Sequence, residues 1–408
     1  MELVGAERIA AAARLLEPVV RRTPVLPSRV LTEHTGVPVH LKCENLQRTG
    51  SFKIRGAYTR LHALSADERA QGVVAASAGN HAQGVALAAQ LLGIGATVFM
   101  PTGASLPKLA ATRAYGAQVY LEGAVLEDSI AAAMTYAERT GAVFIHPFDH
   151  LDVIAGQGTC GLEILQQLPE VATVLVCTGG GGLLAGIAAA VRAHRPGVRV
   201  IGVQAEAAAA WPASLAAGHP VTLREMSTMA DGIAVGAPSP ITFAHVEALV
   251  DQIVTVSEDA LSRALLLCLE RSKMVVEPAG AAAVAALLDL DLHLDGPVCA
   301  VLSGGNIDPL LLAQVMQHGL SAAGRYLSLQ VTVPDRPGCL AALLSTLGAA
   351  GGNVIDVAHS RLTGTLALGE VEIETTVETR GASHSHDLVA RLREHGYQVA
   401  VMTPDHQD

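Results

Sequence analysis

The chain has 408 residues, of which 50% are hydrophobic and 16% charged, and a formal net charge of −11. A single compact core is excluded, because hydrophobic cores stop growing at about 250–300 residues, and the negative balance argues against a general nucleic-acid binder. The charged fraction lies well below the roughly 25% usual for soluble proteins, which points to extensive burial in a parallel sheet, in oligomer contacts or in both.

The N-terminus carries Glu2, Glu7 and Arg8 and has no signal-peptide apolar core, so a cytoplasmic protein is expected. From about residue 15 to 322 short apolar runs alternate with helical patterns. Val73–Ala76 reads as a strand and His81–Leu92 as a helix; Ala96–Met100 follows as a strand and Lys108–Tyr115 as a helix. Val171–Cys177, Leu183–His194 and Val198–Gln204 repeat the strand–helix–strand order, with Arg195-Pro196-Gly197 as the stop, and Pro297–Leu302 is a further strand. This alternation predicts an α/β architecture with mainly parallel sheets. The uncharged stretches Ala70–Pro107 and Thr173–Val191 are read as buried β-loop-α units, not membrane spans, because polar residues break the first and four glycines the second.

The texture changes after Gly324. Tyr326–Val333 alternates like a strand, Pro337–Ala350 is helical with Pro337 in its first turn, and Asn353–Leu362 and Leu366–Val377 are strands. Ser385–His395 is helical and Tyr397–Met402 closes the series, giving the βαββαβ order of a ferredoxin-like module. The boundary is expected near residues 320–325. The cysteines Cys43, Cys160, Cys177, Cys268, Cys299 and Cys339 contain no C-x-x-C pair and read as free thiols of a reducing compartment.

Four segments carry the chemistry. In Thr49-Gly50-Ser51-Phe52-Lys53 a helix is expected to start with Ser51 as its cap. Lys53 then sits in the first turn, where the helix dipole disfavours an ammonium and a neutral amine suits imine chemistry and proton abstraction. Ser77-Ala78-Gly79-Asn80-His81 lies between a strand and a helix, where backbone N–H groups form an anion site suited to a carboxylate. Gly179, Gly180, Gly181 and Gly182, followed by Leu183, also join a strand to a helix; glycines let backbone amides approach a phosphate closely. No Gly-Lys-Ser/Thr follows, which excludes a Walker A loop, and the G-x-G-x-x-G spacing is not cleanly met. Ser303-Gly304-Gly305-Asn306 places a hydroxyl at a strand's C-terminal end, where ligands of open α/β sheets gather.

In this order, and with Arg22-Thr23-Pro24-Val25, Lys42-Cys43-Glu44-Asn45, Ala230-Asp231-Gly232-Ile233-Ala234-Val235 and Val276-Glu277-Pro278-Ala279-Gly280, the segments resemble the threonine/serine dehydratases of the fold type II pyridoxal-phosphate enzymes. The resemblance implies a catalytic region of two open α/β subdomains over residues 1–322, the smaller inserted at about 45–145, and a cofactor, pyridoxal 5′-phosphate. Lys53 resembles the Schiff-base lysine and catalytic base, with Phe52 beside it. Asn80 resembles the contact to the cofactor's 3′-oxygen, Gly179 to Gly182 with Leu183 the phosphate cradle, and Ser303 the hydroxyl facing the pyridine nitrogen. Ser77, Gly79, Asn80 and His81 fall where the substrate carboxylate binds. A neutral partner such as Ser303 leaves the ring a weaker electron sink, which favours elimination over transamination. The implied reaction converts L-threonine to 2-oxobutanoate and ammonia, and also L-serine to pyruvate.

Some relatives hold a divalent cation through a Glu followed by an Ala and an Asp. Glu206 and Ala210 match, but Pro212 stands at the Asp position, so no metal site is expected. Residues 325–408 resemble a single ACT domain through Val333-Pro334-Asp335-Arg336-Pro337-Gly338 and Gly352-Asn353-Val354-Ile355-Asp356. That likeness implies a homo-oligomer, dimer or tetramer, and either an amino-acid effector bound by Asp335, Arg336, Gly338 and Asn353 or a purely structural dimerisation module. His384 and His386 are read as a solvated helix entry. The competing readings are a serine racemase-like enzyme and a non-catalytic amino-acid sensor. Neither a nucleic acid nor a membrane is expected as a partner.

Overall fold

A computed structural model describes residues 2–322, 324–361 and 366–402. By its internal contacts the chain divides into two compact units, residues 1–309 and 310–408. The first unit holds two sheets. Strands β1 (Val25–Pro27) and β2 (Val39–Cys43) open the larger one. The chain then leaves to build a second sheet from β3 (Val73–Ala76), β4 (Ala96–Met100), β5 (Gln118–Leu121) and β6 (Val143–Phe144). It returns with β7 (Thr173–Cys177), β8 (Arg199–Ala205), β9 (Gln252–Val256) and β10 (Val298–Leu302). The large sheet runs β1-β2-β10-β7-β8-β9 and the inserted one β5-β4-β3-β6. Every pairing in them is parallel except β1 with β2. Parallel strands covered on both faces read as unbroken apolar runs, and β3, β7 and β10 are buried at every position.

In this unit the strands expected from the sequence appear within two residues of their predicted ends. The expected start of the Lys53 helix needs correction. The helix Lys53–His62 begins after Phe52, and Ser51 does not cap it. Ser51 is extended and forms a β-bridge with Gly304, so its backbone is committed to the large sheet's end and not to the helix.

The second unit contains the helix Pro309–Ala322 beyond its first residue, then β11 (Tyr326–Pro334), a helix Cys339–Ala349, β12 (Asn353–Ser360), β13 (Glu370–Glu378), a helix Ala382–Glu394 and β14 (Gln398–Met402). The antiparallel sheet has the order β12-β13-β11-β14, as a ferredoxin-like βαββαβ module requires. Alternation puts Leu327, Leu329, Val331 and Val333 of β11 and Val371, Ile373 and Val377 of β13 on one face, packed with Leu343, Leu347, Leu388 and Leu392 from the two helices.

Three local expectations fail. Pro337 precedes the helix: Gly338, at φ +92°, is its N-cap and starts the turn that Pro337 was expected to occupy. Strand β13 starts at Glu370 and not at Leu366, because Gly369, at φ +89°, turns the chain just before it. His384 is not simply solvated, because its Nε2 donates to the Ala350 carbonyl at 2.9 Å and its Nδ1 accepts from the Arg380 amide at 3.1 Å. Leu362, the expected end of β12, lies outside the described residues. Among the described residues, no helix is long and apolar enough to cross a membrane.

Candidate active site

The cleft between the two sheets of the first unit encloses a cavity of about 520 Å³. It lies at the C-terminal ends of β3, β7 and β10, where open α/β sheets bind ligands. The structure brings every expected cofactor and substrate residue of this unit to its wall: Phe52 and Lys53, the Ser77–His81 turn, the glycine run with Leu183, and Ser303.

Lys53 is the first residue of its helix. The amide of Phe52 donates to the Ser303 carbonyl at 3.1 Å, which ties the helix start to the end of β10. The Lys53 amine donates to the Pro147 carbonyl at 3.3 Å and lies 5.1 Å from the Phe52 ring centre. Burial pushes its pKa down to about 8, against the opposing pull of Cys177 and Glu277. Desolvation, not the dipole invoked from sequence, is therefore the leading cause.

The glycine run has a packing reason as well as a binding one. A Cβ on Gly180 would lie 2.3 Å from the Phe148 ring, and one on Gly181, at φ +90°, 2.5 Å from Trp211. The two aromatic rings pack against the loop, and Trp211 donates from Nε1 to the Gly179 carbonyl at 2.7 Å. The helix Gly182–His194 begins at the loop, so its first-turn N–H groups lack intrahelical acceptors and form an anion cradle. A second helix start, Asn80–Leu92 after Gly79, faces the same cavity. There the Ser77 hydroxyl accepts from the Gly79 amide at 3.1 Å. The His81 ring turns inward: Nε2 donates to the Ile145 carbonyl at 2.9 Å, and burial pushes its pKa down to about 3. His81 is thus a neutral strut, and what the Ser77–His81 turn offers an anion is backbone N–H and the Ser77 hydroxyl.

Sequence reasoning did not assign several groups found here. Glu277 is 2% exposed and accepts from Asn80 Nδ2 at 2.6 Å. Burial and the neighbouring Asp231 raise its pKa to about 7. Cys177 donates from Sγ to the Ser303 hydroxyl at 3.0 Å. Lys108 of the inserted subdomain meets Asp231 at 2.5 Å, and both line the cavity, so the pair spans its two walls. Gly304 explains the neighbouring motif: a Cβ there would lie 2.1 Å from the Glu277 carboxylate. The motifs containing Glu277 and Asp231 were visible in the sequence, but their meeting with Asn80 and Lys108 is a long-range contact that no local pattern encodes.

The motifs outside the cavity support it from below. Arg55, fully buried, donates to both carboxylate oxygens of Glu44 at 2.8 Å and to both oxygens of Glu163 at 2.8 and 3.0 Å. Lys42 joins through Glu163 at 2.5 Å and the Thr23 carbonyl at 2.8 Å, and the Thr23 hydroxyl donates to Glu44 at 2.5 Å.

In the second unit Asp335 pairs with Arg361 at 2.9 and 3.2 Å, within the exposed loop that also holds Arg336 and Gly338. Asn353 donates to Glu378 at 3.1 Å. Strand register places Asn353 beside Glu378 and Tyr326, whereas Pro334 pairs with Glu370. Within one chain the loop and Asn353 therefore lie at opposite ends of the sheet.

The residues present suit pyridoxal phosphate: a buried amine with its pKa lowered to about 8, a glycine cradle at a helix start, and a neutral hydroxyl at a strand end. Comparison with known proteins agrees. Residues 16–304 match the family model of pyridoxal-phosphate dependent enzymes. The L-threonine ammonia-lyase of Thermotoga maritima is 46% identical over 401 residues, covering 98% of this chain and all of that protein. That of Geobacter sulfurreducens is 47% identical over 384 residues, covering 94% of this chain and 96% of that one. Among solved structures, the T.th. threonine deaminase superposes with a TM-score of 0.71 at 45% identity, covering 74% of this chain and 99% of that chain. Maize serine racemase gives 0.74 at 36% identity, covering 78% and 99%. The chain belongs to the pyridoxal-phosphate-dependent enzymes and, within them, to the L-threonine ammonia-lyases.

Proposed function

We propose that the chain eliminates water from L-threonine and that hydrolysis of the resulting enamine returns a water and gives 2-oxobutanoate and ammonia, that it accepts L-serine as a second substrate, and that it uses Lys53 as cofactor-holding amine and base. The observation that carries this reading is the Lys53 amine, buried in the cavity with a pKa near 8 and flanked by Asn80, the glycine cradle and Ser303. Bound pyridoxal phosphate supplies the electron sink that makes the substrate Cα–H acidic.

The chain's own residues supply the rest. Lys53, neutral in a large fraction at slightly alkaline pH, takes the Cα proton and holds it. The amides of Gly179 to Leu183 hold the phosphate group, and the Ser77–His81 turn with its helix start holds the substrate carboxylate. Asn80 would supply an N–H for the cofactor's 3′-oxygen, and Ser303 a hydroxyl for its ring nitrogen, which does not enforce protonation there. The Lys108–Asp231 pair joins the walls and limits water entry. Residues 325–408 serve as a regulatory module. Its effector site, built on Asp335, Arg336 and Gly338, is completed by Asn353 of a second copy, because one chain places them at opposite ends of its sheet. This makes the working enzyme a homo-oligomer.

Steady-state kinetics on L-threonine and L-serine, with and without isoleucine or valine, test the reading. The expected result is 2-oxo acid release from both and a change of activity with one effector. Chiral analysis of recovered serine separates elimination from racemisation: D-serine without pyruvate would reject the assignment.

A further inference from the structure

Thr49 has φ +62° and ψ +11°, a left-handed conformation that non-glycine residues rarely adopt, and Gly50 follows at φ +71°. The double bend points the Thr49 carbonyl at Asn306, whose side-chain nitrogen lies 2.6 Å away. It also brings the backbone hard against that side chain, since a Cβ on Gly50 would sit 2.3 Å from Asn306 Oδ1.

A backbone carbonyl only accepts hydrogen bonds, so the Asn306 atom facing it is the NH2 group. The same nitrogen lies 2.8 Å from the side chain of Asn80, whose facing atom is then the acceptor Oδ1. The other end of Asn80 is its NH2, which donates to Glu277 at 2.6 Å. Both amide orientations are thus fixed by the hydrogen-bond network, propagated from one unambiguous backbone acceptor.

On the reading that Asn80 donates to the cofactor's 3′-oxygen, we propose that Asn306 is a positioning residue that sets the sense of the Asn80 carboxamide and keeps its N–H groups on the cavity side. Glu277 does not perform this task alone. Its pKa near 7 leaves the carboxyl partly protonated at neutral pH, and a carboxylic acid both donates and accepts, so it tolerates either orientation of Asn80. Asn306 NH2 only donates. A reversed Asn80 would present Oδ1 to the cofactor oxygen, acceptor against acceptor. The strained Thr49–Gly50 bend, which is not part of the cavity wall, has its use here: it carries the orienting carbonyl.

The test uses the full-length holoenzyme and two readouts other than turnover, the cofactor dissociation constant and the pH titration of bound-cofactor absorbance. Asn80→Ala is expected to weaken cofactor binding about tenfold and to shift the titration. Asn306→Asp, which has no donor for Asn80, is expected to reproduce both changes, and the double variant to add no more than about twofold, because both substitutions remove one interaction. Asn306→Ala removes the donor without adding charge, shows a smaller shift of the same sign, and decides the matter if thermal melting shows Asn306→Asp to be unfolded. Wild-type binding and titration in a folded Asn306 variant, with Asn80→Ala altered, overturn the proposal alone. Full multiplication of the two effects does the same. A silent Asn80→Ala removes the cofactor contact itself, and the proposal with it.

Discussion

Two buried glutamates, each coupled to a cation of one helix, behave in opposite ways. Glu44, below the Lys53–His62 helix, is fully buried, and burial alone would raise its pKa. The Arg55 guanidinium reverses that, with help from Lys42 and Thr23, and holds the carboxyl below its ordinary range. Glu277, in the cavity, is 2% exposed and rises to about 7, since Lys108, Asn80 and Lys53 do not offset its burial and the repulsion of Asp231. The basic partners diverge in parallel: Arg55 is pushed up by its carboxylates despite its burial, and Lys53 is pushed down to about 8. Two residues apart on one helix, one cation is locked in its charged form and the other is poised to lose its proton. Burial is common to both regions, so pairing decides. Where charges are matched the site is a foundation, and where they are under-matched it is reactive.

The sharpest way to break this contrast is at the two cations. Lys53→Ala removes the amine that the mechanism requires. Threonine turnover, followed as 2-oxobutanoate, is expected to fall by about 10⁴-fold or more while thermal stability holds, since no matched charge is lost. Arg55→Met does the reverse. It leaves Glu44 and Glu163 facing one another without their shared partner, and a destabilisation of about 3–5 kcal/mol is expected in denaturant titration. A stable Arg55→Met protein would mean that the network below the helix is not a foundation.

The pH dependence separates the glutamates themselves. Glu44, with a lowered folded-state pKa, contributes stability that is present above its unfolded pKa and lost as pH falls through the folded one. Glu277 has the opposite sign. Its folded-state pKa is raised from 4.5 to about 7, so it costs stability progressively as pH rises from 4.5 to 7, with no cost below that window and the full cost above it. Glu277→Gln is therefore expected to stabilise the cofactor-free protein above pH 7, by on the order of 3 kcal/mol at most, and to make no difference at acid pH. Denaturant midpoints at the two extremes check the sign.

The sequence made one side of this comparison far more legible than the other. The glycine run, Ser77–His81 and Ser303 were readable because each is a local pattern: a strand, a turn and a helix start. The Arg22–Thr23 and Lys42–Asn45 motifs were visible as strings, but their chemistry was not. Arg55 meets Glu163 across more than a hundred residues of chain, and only the folded helix pair brings them together. Glu277 was in plain view before Pro278, yet its contact with Asn80 spans the cleft. Ser51 was misread for a related reason: Ser followed by a helix is the ordinary signature of a cap, and a bridge to Gly304 overrode it. In the second unit the alternating strands were legible because one face of that sheet is buried. The Gly338 turn was not, because a proline beside a glycine leaves open which of the two begins the helix.

The finest division between matched and under-matched groups lies at Cys177. Its thiol is buried, and burial raises its pKa to about 11 despite the hydrogen bond to Ser303, so it stays protonated at neutral pH and acts as a weak donor. With its oxygen accepting from Cys177, the Ser303 hydroxyl keeps its own proton for another acceptor in the cavity. Cys177→Ser preserves a donor and should leave kcat within about twofold, since a hydroxyl substitutes for the thiol. Cys177→Ala removes the donor without overpacking the buried site; a loss of about 1 kcal/mol, a few-fold in kcat with KM little changed, is expected if the bond orients Ser303 toward the cofactor ring. Equal kinetics for the two variants would show that Ser303 is held by the backbone alone, through its carbonyl's bond to the Phe52 amide, and that the thiol belongs with the packed foundation and not with the reactive wall.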